Sequence, residues 1–367
     1  MAISKLRIHH IRNLSAVSLV PCPAINLIYG ENGSGKTSVL EAIHLLGLAR
    51  SFRTNQARHL IQTEQADCVV YAEIDPLRQG EHKPLGVERS LEGDPRIRFA
   101  GQDIDLSTLA ELLPLQVINA DTFQLLEGSP AHRRQFLDWG VFHADPGFIQ
   151  LWRGFRRVLK QRNSLLKCGK IDPRLREVWD REFVSFANAL TERRRDYLAR
   201  LIPVFNQSLE QLLPGMRIDL GFQTGWDSKR GLDEVLAASF ERDLALGYTA
   251  SGPQRADLRV KAEGHSASER LSRGQKKLVV SALKLAQGNL FQAMHKRPCV
   301  YLIDDLPSEL DQQHNQLFCS LLEQSGNQCF ITCVDHRTLL EHWRPETAIA
   351  TFHIADGALV TATGPAA

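Results

Sequence analysis

The chain has 367 residues, 43% hydrophobic and 23% charged, with a formal net charge of +2. That length allows two or three domains of ordinary globular composition, and no apolar run is long enough to span a bilayer. Seven cysteines without a C-x-x-C pair, and an N-terminus without the apolar core of a secretory signal, fit a reducing, cytoplasmic setting. Cys329 and Cys333 are four apart in an extended run, so they share a face and read as two buried small side chains.

In chain order, residues 3–29 read as short strands around a turn, ending in the apolar run Ile25 to Tyr29. After Thr37 the period switches, with Val39, Leu40, Ile43, Leu46 and Leu48 at helical spacing. Residues 68–105 alternate β-like runs with turns, including Cys68 to Ile74 and Ile97 to Phe99. Pro114 to Ile118 reads as a buried strand. Residues 129–213 read as helices, with a break over Gly169-Lys170-Ile171-Asp172-Pro173. Residues 216–222 and 257–262 look extended, Ser272 to His295 helical, and strands resume at Val300 to Ile303, Cys329 to Val334 and Ile349 to His353. No repeat, low-complexity tract or long heptad array interrupts this order.

Three separated segments make sense as one site. Gly30-Glu31-Asn32-Gly33-Ser34-Gly35-Lys36-Thr37 has the form G-x-x-x-x-G-K-[ST], between a predicted strand and a predicted helix, which is the context a phosphate-binding loop requires. Its glycines let backbone N–H groups converge on an anion at a helix N-terminus. Lys36 is placed to neutralise the β- and γ-phosphates of ATP and Thr37 to reach Mg²⁺, with Ser38 completing the nucleotide-contacting set. Val300 to Ile303 is an apolar strand ending in Asp304 and Asp305. Asp304 suits a Mg²⁺-holding Walker B carboxylate, and Asp305 is placed to orient the attacking water. Leu271-Ser272-Arg273-Gly274-Gln275 stands 29 positions before Asp304 and is close to the LSGGQ signature of ATP-binding-cassette ATPases. Ser272 and the Gly274 N–H then bind the γ-phosphate of a nucleotide held by a second copy, with Arg273 and Gln275 alongside. Taken alone, Ser272 reads equally well as a helix N-cap. Ser308-Glu309-Leu310-Asp311 lies where such ATPases carry a dimer-spanning loop. Thr332 and His336 lie near the usual γ-phosphate sensor position, with His336 displaced from it.

Charge is uneven. Residues 131–200 hold 16 Lys and Arg against 8 Asp and Glu, a local net of +8 that leaves −6 elsewhere. Such asymmetry favours a polyanion. Arg133, Arg134, Arg153, Arg156, Arg157, Arg193, Arg194 and Arg195 are the candidate DNA contacts. No base-reading motif accompanies them, so binding is expected to be structure-directed and salt-dependent.

These residues, in this order, resemble the RecF family of bacterial recombination-mediator ATPases, related to the SMC-type heads. The resemblance runs over nearly the whole chain. It rests on Leu6-Arg7-Ile8 through Ile11-Arg12-Asn13-Leu14, on Gly30 to Ile43 with Arg50-Ser51-Phe52-Arg53, and on Ile118-Asn119 through Pro130. Arg133-Arg134-Gln135-Phe136-Leu137-Asp138-Trp139-Gly140, the signature and the paired Asp304-Asp305 complete it. One departure is Gln254 within Gly252-Pro253-Gln254-Arg255, where the family usually has His. The resemblance implies ATP-dependent homodimerisation, binding at gapped or single-/double-strand junction DNA, slow ATP hydrolysis, and loading of RecA together with RecR and RecO, with no membrane partner.

The expected fold is α/β, a P-loop ABC-type ATPase lobe of mixed sheets and helices with an inserted, mainly helical second lobe. The expected division is 1–120 for the N-terminal part of the ATPase lobe, 121–247 for the basic helical lobe, and 248–367 for the signature segment with the rest of the ATPase lobe. Two other functions share the nucleotide motifs. One is the nucleotide-binding subunit of an ABC transporter, which leaves the basic helices unexplained. The other is a nucleotide-gated clamp with negligible turnover, which the shorter Asp305 keeps open.

Overall fold

The computed structural model describes residues 2–76, 80–168, 172–305 and 310–364. They form two compact units, Met1–Thr122 with Ser281–Ala367, and Phe123–Val280.

The first unit opens with β1 (Ala2–Ile11), β2 (Leu14–Leu19), β3 (Ile25–Tyr29) and α1 (Lys36–Leu48). It continues through β4 (Asp67–Asp75), β5 (Lys83–Ser90), β6 (Arg96–Phe99), β7 (Gln102–Asp103), α2 (Leu106–Leu112) and β8 (Leu115–Ile118). The second unit carries α3 (Gln124–Glu127), α4 (Pro130–Ala144), α5 (Phe148–Lys167) and α6 (Pro173–Leu212). After these come β9 (Ile218–Gln223), α7 (Leu232–Ala238), α8 (Phe240–Leu246), β10 (Asp257–Ala262), β11 (His265–Ser266) and α9 (Ala267–Arg270). The helix α10 (Arg273–His295) spans the boundary, and β12 (Val300–Ile303), α11 (Gln312–Ser325), β13 (Gln328–Cys333), α12 (Arg337–Leu340), β14 (Ile349–Ala355) and β15 (Ala358–Thr363) return to the first unit.

The first unit is a sandwich of two six-stranded sheets, ordered β2-β1-β4-β5-β6-β7 and β15-β14-β3-β13-β12-β8. The first sheet is antiparallel. In the second, β14, β3, β13, β12 and β8 run parallel, and β15 turns back along β14. Runs such as Val300-Tyr301-Leu302-Ile303 are buried throughout, as strands covered on both faces must be. The helix α1 packs on β1, β4 and β5 of one sheet and on β12 and β13 of the other. Eleven of its thirteen residues are buried, so it has no solvent face and needs none of the amphipathic pattern of a surface helix. The sequence places this core well because every layer is apolar in the period its element demands.

In the second unit α5 and α6 pack side by side, with Phe155 and Phe183 at 5.6 Å between ring centroids. Residues 169–171 of the expected helix break lie outside the described residues, and α6 begins with the Asp172 side chain capping the Arg174 N–H. The division differs from the expected one at its second boundary. Residues 248–280, signature included, belong to the unit of the basic helices. The reason is β-pairing. β10 lies antiparallel to β9, from Asp257 opposite Gln223 to Ala262 opposite Ile218, and packs on α4. Hydrophobic periodicity reports that a segment is extended, not which strand it pairs with.

Candidate functional site

Three parallel neighbours, β3, β13 and β12, bring their C-terminal ends to one edge of the second sheet, the edge where open α/β sheets bind ligands. β3 delivers the glycine loop, β12 delivers Asp304, and β13 delivers Thr332. The loop holds Gly30, Gly33 and Gly35 at φ of 153°, 82° and 116°, values that side chains with a Cβ rarely adopt. A Cβ at Gly30 would also collide with the Ile354 carbonyl of β14. The C-terminal hairpin grips the loop from that side, since the Gly357 N–H donates to the Ser34 carbonyl at 2.9 Å. From the other side the β1–β2 turn supports it. Asn13 Nδ2 donates to the Gly33 carbonyl at 3.2 Å, and Ser38 Oγ donates to Asn13 Oδ1 at 3.1 Å. Arg12 forks onto the fully buried Glu41 of α1 with two bonds of 2.9 Å, and Ser51 Oγ donates to the same carboxylate. The turn at residues 12–13 and the hairpin at 354–357 were not singled out as parts of the site. Their signal was the N-terminal Arg12-Asn13 pair, present in the sequence without a spacing rule to interpret it.

Lys36 is 4% exposed, and its Nζ donates to the carbonyls of Gly30 and Glu31, both at 2.8 Å. The ammonium is therefore held over the backbone of the glycine loop. Ser34 Oγ is buried there without a hydrogen-bond partner among the described residues. Asp304 Oδ1 accepts from Thr37 Oγ1 at 2.9 Å and from Thr332 Oγ1 at 2.8 Å. Thr332 is fully buried and its Oγ1 also accepts from the Asp305 N–H at 2.9 Å. Asp305 takes a left-handed φ of 50°, a region that Asp tolerates better than most residues. One buried threonine thus fixes the Asp304 carboxylate and the backbone turn that aims Asp305. Hydroxyl and carboxylate oxygens are the hard donors Mg²⁺ takes, usually one or two protein oxygens beside substrate phosphate and water, so Thr37 and Asp304 fit that ion.

His336 stands beside this edge, but its ring is stacked. It lies 3.9 Å from the Tyr29 ring, and Tyr29 lies 4.9 Å from His353. Desolvation pushes the His336 pKa down from its ordinary value. Of the segment after Walker B, Ser308 and Glu309 lie outside the described residues. Asp311 caps α11 by accepting from the His314 N–H at 2.9 Å, and that bond holds its carboxyl below the usual range.

In the second unit the signature forms the first turn of α10. Ser272 Oγ accepts from the Gln275 N–H at 3.3 Å, while Gln275 Oε1 accepts from the Ser272 N–H at 2.9 Å. This is a reciprocal capping box. Ser272, Arg273 and Gly274 are exposed, and a Cβ at Gly274 would meet nothing. The cap and the anion-binding roles are compatible, because the box spends one hydroxyl lone pair and leaves the N-terminal N–H groups facing outward.

The model of RecF/RecN/SMC N-terminal domains matches residues 2–358. The DNA replication and repair protein RecF of Pseudomonas fluorescens Pf-5 is 50% identical over 358 residues, 97% of each chain. That of Pseudomonas putida W619 is 51% identical over the same length and share. This chain belongs to the RecF family. Its fold also matches the recombination mediator protein RecF solved as RecF-ATPrS in the RecFOR pathway, with TM-score 0.85 and 24% identity over 98% of this chain and 97% of that one. The Smc head domain of Pyrococcus furiosus matches at TM-score 0.60 and 16% identity, over 99% and 96%. The architecture is that of an ABC-type, SMC-head-like ATPase fold.

The charged side chains of the RecF-type block at 133–140 have partners inside the unit. Arg133 forks onto Asp257 at 2.7 and 3.3 Å and also donates to the Gly128 carbonyl. Arg134 donates to the Ala256 carbonyl at 2.9 Å, and burial pushes its pKa down. Arg194 grips Asp138 with bonds of 2.7 and 2.8 Å and donates to the Pro253 carbonyl. These three arginines pin the 253–257 loop and are engaged by internal partners. The planar guanidinium fork matches carboxylate and carbonyl pairs of this kind. Gln254 is part of that loop, donating to the carbonyls of Thr249 and Ser251, both at 3.1 Å. Arg153, Arg156, Arg157, Arg193 and Arg195 are exposed, although Arg193 faces Asp145 at 3.0 Å.

Proposed function

We propose that this RecF-family chain is an ATP-dependent DNA-binding protein of recombinational repair and replication-fork maintenance, driven by weak, Mg²⁺-dependent ATP hydrolysis. The observation that carries the reading is the cluster Lys36, Thr37, Asp304 and Thr332 at the strand ends, held within single hydrogen bonds of one another and of the loop. Lys36 exchanges its loop carbonyls for the β- and γ-phosphate oxygens. Mg²⁺, when bound by Thr37 and Asp304, supplies charge neutralisation on the phosphates. Asp305 orients the attacking water, and its carboxylate, one methylene shorter than the Glu of most cassette ATPases, makes turnover slow. The γ-phosphate side is completed by Ser272 and the Gly274 N–H of a second copy, so ATP drives a homodimer and hydrolysis releases it.

Gapped DNA or a single-/double-strand junction is the substrate in this reading, with RecR and RecO as partners and RecA loading as the outcome. Support comes from the curated relatives, which are DNA replication and repair proteins, and from the solved relative of the RecFOR pathway. A labelled gapped duplex titrated with ATP, with ADP and without nucleotide tests this by anisotropy. Tighter, salt-sensitive binding with ATP is expected. Equal affinity in all three states would overturn the coupling, and no binding in any state would overturn the DNA reading.

A further inference from the structure

The helix α5 is 20 residues long, carries six Arg and Lys, and has no Asp or Glu. One of the six, Arg162, is buried against Asp180 at 2.7 Å and Asp243 at 2.9 Å. The other five, Arg153, Arg156, Arg157, Lys160 and Lys167, are exposed, and among the described residues none of them makes an ion pair. Elsewhere in the same unit Arg133, Arg176, Arg181, Arg193 and Arg194 each face a carboxylate. Other exposed cations of the unit, such as Arg174, Arg200 and Arg242, are scattered over its surface, whereas α5 carries five within 15 residues and no carboxylate of its own to pair them.

Their spacing is regular. Arg153, Arg157, Lys160, Ser164 and Lys167 follow one another by four, three, four and three residues, which places them on one face at about 5–6 Å intervals. From first to last the stripe runs about 21 Å at 1.5 Å per residue. Exposed Gln161 and Ser164 add neutral hydrogen-bonding groups among these cations. The guanidinium of Arg156 rests 5.4 Å from the Trp152 ring, which preorganises it.

A protein partner would call for an aromatic or aliphatic anchor at the centre of the surface. No residue of α5 is among the exposed large hydrophobics. A linear array of cations with interleaved neutral donors is instead the footprint of a sugar–phosphate backbone, where charge supplies affinity and uncharged donors fix register. We propose that the exposed stripe of α5 is where this chain grips the phosphate backbone of duplex DNA, in a manner blind to sequence. The proposal rests on the DNA-binding reading above and adds the surface.

The test uses the full chain, a labelled gapped duplex with ATP, and a salt series. Three proteins are compared: the wild type, Arg153→Gln/Arg157→Gln/Lys160→Gln, and a control, Arg174→Gln/Arg200→Gln/Arg242→Gln, which removes three exposed charges from other helices of the unit. The stripe variant is expected to lower the slope of log affinity against log salt by about 3 and to weaken binding at least about tenfold. Nucleotide affinity and melting temperature should stay unchanged, and the control should keep most of the slope. If the wild type binds DNA and the stripe variant binds it with the same slope, this surface is wrong while the function stands. If the wild type binds no DNA, both fail. If the stripe variant keeps its DNA slope but loses binding to polyglutamate, the surface belongs to an acidic protein and the proposal is overturned.

Discussion

The nucleotide edge of the first unit and the basic helices of the second unit both present clustered charge, and they use it in opposite ways. At the strand ends, Lys36, Thr37 and Asp304 are held by their own loop and by Thr332, all aimed at one place. In the helices, arginines adjacent in sequence do unrelated work. Arg194 is locked onto Asp138, while Arg195, one residue on, is exposed. A phosphate loop is a local geometry written in spacing. A basic cluster acquires meaning only when tertiary pairing has removed the members that have partners.

The sharpest break of that contrast is Lys36→Ala, which removes the buried cation proposed to bind phosphate. A loss of about 2–5 kcal/mol in nucleotide affinity is expected, at least about thirtyfold, by calorimetry. An effect under twofold would remove Lys36 from the site. Next comes the pair Arg194→Ala and Arg195→Ala, read by denaturant unfolding. Truncating a nearly buried ion pair should cost about 3–5 kcal/mol, and removing the exposed neighbour less than about 0.5 kcal/mol. Equal costs would erase the distinction between internal and surface arginines.

A third test lies behind the loop. His44 of α1 is 5% exposed and hydrogen-bonds the Arg50 carbonyl at 2.7 Å. Desolvation brings its pKa down from 6.5 to about 4. The unfolded chain therefore binds a proton that the folded chain refuses between those values. This contribution is fully present above pH 6.5 and is lost as pH falls towards 4. Moving from pH 7.5 to 5 should cost about 2 kcal/mol through this residue, and His44→Gln should flatten the profile over that window. An unchanged slope in His44→Gln would refute the assignment. The smallest expected effect is Thr332→Val, which removes one of the two hydroxyl bonds on the Asp304 carboxylate and orphans the Asp305 N–H. A shift of about tenfold in the Mg²⁺ concentration needed for tight ATP binding should follow, with Thr332→Ser restoring it. No shift would mean that Asp304 is held without Thr332.

Much of the first unit was legible in the sequence. Ile25 to Tyr29, the glycine loop and the helix after Thr37 form the strand, loop and helix their periods predicted. Val300 to Ile303 is the buried strand that carries Asp304. The supports of the loop were not legible, because Asn13 and Gly357 reach it from residues about 20 and 320 positions away in a fold-dependent approach with no motif of its own. The boundary near 280 was missed for a similar reason, since β10 joins β9 through a pairing no local pattern announces. The arginine roles at 133, 134 and 194 were illegible because their partners, Asp257, Ala256 and Asp138, are distant in sequence.

The central claim is that ATP closes two copies of this chain around shared nucleotides, each signature meeting the other's phosphate loop. Light scattering of the wild type and of Ser272→Arg, without nucleotide and with Mg²⁺-ATP, tests it most directly. Ser272 is exposed at the start of α10, so the arginine should fold and still bind ATP but block closure. The account predicts that the wild-type mass doubles with ATP and that of Ser272→Arg does not, at equal nucleotide occupancy. A Ser272→Arg chain that dimerises with ATP as the wild type does, or a wild type that stays monomeric when saturated with ATP, would contradict it.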